Sequence, residues 1–131
     1  MNKWEQFQGK SFEIVNLGRP AVFLIPAKKL KGEVGIRARQ ELHLFLISQF
    51  GAYSTSLVPN FGFWRDSLKR MMSDKCVVYE VSFVGKHKIP LLLEKLSELA
   101  LTLKEECVYV KTGQYSCLVY PNKKSATKPR V

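Results

Sequence analysis

Two apolar helical periodicities, each preceded and followed by strand patterns, predict an α+β domain. Its element order is that of a ferredoxin-like βαββαβ sandwich: an antiparallel sheet with two helices on one face. Three observations carry this reading. Val22-Phe23-Leu24-Ile25 is a short apolar run bounded by Pro20 and Pro26. Val77, Tyr79, Val81 and Phe83 alternate with their neighbours. Leu92, Leu93, Leu96, Leu99, Ala100 and Leu103 recur at three- and four-residue spacing.

The elements follow in order. Residues 11–16 have strand character and leave the N-terminal segment free to add an edge strand, with Gly18-Arg19-Pro20 as punctuation. The first confident strand spans 21–27, apolar throughout as if covered on both faces. A basic turn with Lys28, Lys29 and Lys31 precedes a helix over 36–49. That helix carries so many apolar positions that its second half is expected to be well buried, and Gly51 is placed to end it. Residues 53–58 read as a strand, Phe61 to Arg65 as an aromatic segment, and 66–73 as a turn or short helix. A strand over 76–84 and a basic turn at 85–88 lead into the second helix, with Pro90 in its first turn. A hairpin around Thr112-Gly113-Gln114 closes the domain. The division is an extension at 1–19, the domain at 20–121 and a basic, disordered tail at 122–131.

A chain of 131 residues accommodates one domain. No apolar run approaches the roughly 20 residues of a membrane span, and the N-terminus lacks a secretory pattern. Cys76, Cys107 and Cys117 show no Cys-x-x-Cys spacing and are expected as free thiols in a reducing, cytoplasmic compartment. No metal or other cofactor is expected.

Twenty-one Lys and Arg against eleven Asp and Glu give a net charge of +10. Solvated charge for solubility is the plain explanation. The functional one is phosphate binding with counterion release, so the leading expectation is a binding protein for nucleic acid or a nucleoprotein complex. Its contacts would be Lys28, Lys29, Lys31, Arg37, Arg39, Arg65, Lys69, Arg70, Lys86 and Lys88. A second reading is an inhibitor or assembly factor docking on a protein through Phe61, Phe63 and Trp64. An uncovered sheet face leaves room for a homodimer.

Catalysis has less to stand on. His43 lies among apolar residues and His87 between two lysines; they are the candidates if the chain is a small phosphoesterase or nuclease. Tyr53, Ser54, Thr55, Ser56 and Arg65 form a conceivable polar site beside His43, although short hydroxyl runs usually satisfy turns. His43-Leu44-Phe45 lacks the second histidine of the small single-strand transposases, and no phosphate loop or nucleophile elbow is present.

Three segments carry a resemblance: Phe50-Gly51-Ala52-Tyr53-Ser54, Gly62-Phe63-Trp64-Arg65 and Glu105-Glu106-Cys107-Val108-Tyr109-Val110. Across residues 44–120 the chain resembles a diffuse group of small phage- and plasmid-encoded proteins, departing from their pattern at Ala52 and Cys107. The resemblance implies a mobile-element setting and assigns no functional residues.

Overall fold

The computed structural model describes residues 3–7, 9–56, 60–113 and 115–122. Its elements are β1 (Arg19–Pro26), α1 (Gly32–Phe50), β2 (Ser54–Thr55), β3 (Asn60–Arg65), β4 (Met71–Phe83), α2 (Lys88–Thr102), β5 (Val108–Thr112) and β6 (Tyr115–Val119). A short 3-10 turn, Ala27–Leu30, joins β1 to α1.

The sheet runs β2-β4-β1-β5-β6 with every pairing antiparallel. The second edge strand, β3, pairs the first half of β4, from Asn60↔Cys76 to Arg65↔Met71. The predicted ferredoxin-like arrangement is therefore present: β5, β1, β4 and the β2/β3 edge take the four positions. The additional strand is C-terminal, not N-terminal. Residues 9–18 contain no strand; a 3-10 turn at Lys3–Phe7 precedes them. The tail expected to be disordered lies, from residue 123 on, outside the described residues.

Strand alternation builds the core. Ala21, Phe23 and Ile25 of β1 face the helices with Tyr79, Val81 and Phe83 of β4 and Val108 and Val110 of β5. Leu42 and Leu46 of α1 and Leu92, Leu96 and Leu99 of α2 close over them. On the other face of β1, Val22 and Leu24 are half-buried. The apolar run fits the central position of β1 in the sheet, between β4 and β5.

The helices differ. In α2 the periodic leucines form the buried stripe, as expected. In α1 the buried positions are only Gly35, Ala38, Leu42 and Leu46, while Ile36, Leu44 and Ile47 remain exposed. The expected broad burial of its second half is corrected: Leu42 and Leu46 are buried and Phe45 and Phe50 pack half-buried against the core, while Leu44 and Ile47 face solvent. Gly51 adopts φ 81°, and its N–H donates to the Ile47 carbonyl at 2.9 Å, ending α1 where predicted. Gly35 allows α1 to lean on the turn before it: a Cβ there would sit 2.4 Å from the Lys29 carbonyl oxygen.

Two lysines close the helix C-termini from across the fold. The Nζ of Lys29 donates to the carbonyls of Leu103 (2.9 Å) and Lys104 (3.3 Å) and pairs with Glu105 at 3.2 Å. The Nζ of Lys88 donates to the Gln49 carbonyl at 2.8 Å. Each places a cation where the helix dipole and unpaired carbonyls favour one. Lys29→Met is expected to destabilise the fold by about 1–2 kcal/mol. Urea unfolding is the measurement, and an unchanged midpoint would contradict the capping role.

Among the described residues no helix is long and apolar enough to cross a membrane. Cys76 is buried, Cys107 half-buried and Cys117 exposed, all as free thiols. Burial raises the Cys76 thiol pKa, assisted by Asp74 and Glu105, so that side chain behaves as a small hydrophobe.

Candidate functional site

Polar and aromatic groups converge at the seam between α1 and the β2–β4 edge. Arg39 and His43 are four residues apart on α1 and therefore share a face. The turn at Gly51 brings the chain back beneath that face, so Tyr53 meets His43: its hydroxyl lies 2.7 Å from the imidazole Nδ1. The two rings meet edge to face, with centroids 5.6 Å apart. Two residues on, Thr55 of β2 is registered opposite Tyr79 of β4.

Tyr79 is the centre of this arrangement. Its ring stacks on Phe23 at 5.2 Å with an interplanar angle of 2°, and on Tyr53 at 6.0 Å with 28°. Burial is the main cause that raises its phenol above the ordinary pKa; the positive charge of Arg39 pulls the other way. At neutral pH Tyr79 is therefore a neutral phenol. The site presents the exposed Arg39 and a phenol–imidazole pair at the outer end of a column of three aromatic rings, whose inner members, Phe23 and Tyr79, are buried. A guanidinium recognises a carboxylate, and aromatic faces attract a cation or a flat base. Among the described residues no group of three His, Cys, Asp or Glu side chains stands together to hold a metal ion.

The polar site sketched from sequence beside His43 is thus present in part. Tyr53 and Thr55 belong to it; Arg65 does not, lying at the far end of β3 opposite Met71. Arg39 takes the place expected of Arg65. Its four-residue spacing from His43 on a helix was the signal available for this. His87 is exposed in the turn before α2 and does not join the cluster.

The ten basic residues do not form one patch. Lys28, Lys29, Lys31, Arg65, Lys69 and Arg70 belong to the end where β1 finishes and β4 begins. Lys86 and Lys88 follow β4 at the other end, where Arg19 pairs with Phe83. The eight residues of β1 between them span about 25 Å at roughly 3.3 Å per residue. Several are also engaged internally: Lys28 with Asp74 at 3.7 Å, Arg37 with Glu33 at 3.9 Å, Arg70 with Asp66 at 2.8 Å. Lys29 and Lys88 cap helices, as described. Phe61, Phe63 and Trp64 are exposed on β3.

The β3–β4 connection is organised by Asp66. Its carboxylate accepts from the backbone N–H of Arg70 and Leu68 and from the Arg70 guanidinium. These bonds, the Arg70 backbone first, hold the Asp66 pKa below its ordinary value. Of the turn or short helix expected over 66–73, the turn is present as a tight connection that ends at Arg70, with β4 beginning at Met71, and the aromatic segment before it is a strand.

No family model and no curated protein matches this sequence. Two solved structures match in fold. A phage SAM lyase in complex with S-methyl-5'-thioadenosine superposes with a TM-score of 0.60 at 12% identity, covering 86% of this chain and 96% of that one. A phage SAM lyase in the apo state gives 0.53 at 15% identity, covering 85% and 96%. Both are phage proteins, in line with the mobile-element setting expected from the sequence. The expectation of a nucleic-acid or nucleoprotein partner, with a protein-docking inhibitor as its alternative, is corrected by this finding. The neighbours of this fold are enzymes, and one holds a small nucleoside thioether, not a polymer or a protein. The physical reason is visible in the basic residues, whose charge is spent at two ends of the sheet and on helix caps. At these identities what the chain shares with phage SAM lyase is its fold.

Proposed function

We propose that this chain acts on S-adenosylmethionine, breaking a carbon–sulfur bond of its sulfonium and releasing S-methyl-5'-thioadenosine. The observation that carries the proposal is the likeness of fold, nearly end to end, to a lyase that holds this thioether. The seam between α1 and the β2–β4 edge supplies fitting chemistry. The Arg39 guanidinium suits the amino-acid carboxylate of the substrate, and the half-buried ring of Tyr53, at the outer end of the stack, suits the sulfonium cation or the adenine. A phage or plasmid setting also accommodates the sequence resemblance at residues 50–54, 62–65 and 105–110.

The reaction balances without a cofactor. The bond between sulfur and the γ-carbon of the amino-acid portion breaks, and its electron pair stays on sulfur, leaving a neutral thioether. The γ-carbon is satisfied internally, by attack of the substrate's own carboxylate oxygen or by loss of a β-proton. Because the leaving group departs neutral, it needs no general acid. The protein's share is to hold carboxylate, γ-carbon and sulfur in line and to exclude water. A β-proton, if it is lost, has the His43–Tyr53 pair as an acceptor within the cluster.

The test is incubation of the purified protein with S-adenosylmethionine and chromatographic detection of products. Time-dependent release of S-methyl-5'-thioadenosine, without added cofactor or methyl acceptor, is expected. Intact substrate after prolonged incubation with folded protein would overturn the reading.

A further inference from the structure

A second site, away from the α1 seam, is formed where the turn after β1 meets the β3–β4 hairpin. Lys28 and Lys31, Phe61 of β3, and Ser73, Asp74 and Lys75 of β4 line a groove of about 320 Å³. The register explains the convergence. Phe61 is directly opposite Lys75, and the start of β4 runs beside the end of β1, so the turn that follows β1 is carried up to both. Three lysines and one aspartate are among its lining residues. Asp74 is already partnered by Lys28 at 3.7 Å, a loose ion pair in which the lysine remains largely exposed. The Lys75 ammonium stands 5.9 Å from the centre of the Phe61 ring, and that ring is itself largely open to solvent. Its lining therefore combines a net charge of +2, the Ser73 hydroxyl and a solvent-open aromatic ring over which the Lys75 ammonium stands.

We propose that this groove binds a phosphate monoester carried on a flat ring, in chemical class a nucleoside monophosphate. A phosphate monoester carries about −1.5 to −2 charges at neutral pH and accepts several hydrogen bonds, matching the lysines and Ser73. The ring has Phe61 to stack on. The groove's volume is at the lower end for small-molecule sites, about 300–1,000 Å³, which suits a single nucleotide. The site stands apart from the proposed S-adenosylmethionine chemistry, and neither depends on the other.

The experiment is calorimetric titration of the full chain with AMP and CMP, with adenosine and inorganic phosphate as the separate halves of the ligand. Amide chemical-shift mapping accompanies it. Both nucleotides are expected to bind about tenfold more tightly than either half. Their affinity should fall between about 50 and about 300 mM salt. Shifts should centre on Lys31, Phe61 and Ser73, and S-methyl-5'-thioadenosine should not displace the nucleotide. The double variant Lys31→Ala/Lys75→Ala should lose about tenfold in affinity. Adenosine binding as well as AMP would overturn the phosphate assignment, and phosphate binding as well as AMP would overturn the ring assignment. An unaltered affinity in the double variant, with its fold confirmed by its amide spectrum, would overturn the site. A protein that releases S-methyl-5'-thioadenosine yet binds no nucleotide would refute this proposal alone.

Discussion

Phe23→Ala is expected to destabilise the protein by about 3–5 kcal/mol. The side chain has no exposed surface, lies on the central strand and packs between the sheet and both helices. Truncation removes the transfer energy of the ring and leaves a cavity that the flanking strands, hydrogen-bonded on both sides to β1, cannot close. For a domain of this size total stability is about 5–15 kcal/mol, so the variant sits near the threshold of folding. A second consequence follows from the parallel stack of Phe23 on Tyr79. Without it Tyr79 loses the support that fixes its ring against Tyr53. Phe23→Leu, which keeps much of the volume, should recover most of the stability but not the order of Tyr79. Denaturant unfolding measures the first effect, and the ring signals of Tyr79 and Tyr53 the second. A cost below about 2 kcal/mol would mean that the core relaxes more freely than its packing suggests.

Arg39→Ala is expected to lower kcat/KM for S-adenosylmethionine by about 100- to 1,000-fold, the range of losing a charge-assisted contact to a substrate carboxylate. The residue is exposed on α1, so little stability should be lost with it. The charge of Arg39 also acts on the Tyr79 phenol, and a merely structural role would appear as an altered melting temperature with proportionate loss of activity. Arg39→Lys retains charge without the planar fork and should be intermediate. Tyr53→Phe retains the ring but removes the 2.7 Å contact with His43, so its effect separates orientation of the imidazole from stacking. A kcat/KM unchanged in Arg39→Ala would move the substrate away from this seam.

How much of this was legible beforehand varies with the range of the interaction involved. The α2 stripe was readable because its leucines recur at helical spacing and nothing else competes for them. Gly51 was readable because a left-handed helix end strongly favours glycine. In helix α1, Leu44 and Ile47 look like core, but they lie away from the face on which Leu42, Phe45, Leu46 and Phe50 pack. The 60–75 hairpin was half-read. Its aromatic residues were noticed, but pairing depends on Asp66 closing the turn, a contact pattern that composition does not display.

The candidate site shows the same division. His43, Tyr53 and Thr55 were noticed as chemically able residues. Their association depends on the reversal at Gly51 and on the register of Thr55 against Tyr79, both long-range facts. In the sequence Arg39 is one basic residue among many, because a formal charge does not reveal its partner.

The sequence by itself determined the element order, the two helices, the central strands and hence the ferredoxin-like class, since hydrophobic period is a local property written residue by residue. It also determined the excess of positive charge. Only the tertiary structure decided where that charge went. Lys29 and Lys88 are drawn to helix ends that are distant in the chain, and β1 holds the remaining clusters at opposite ends of the sheet. Electrostatic energy depends on distance in space, and chain order does not encode it until strand register and helix packing have been set.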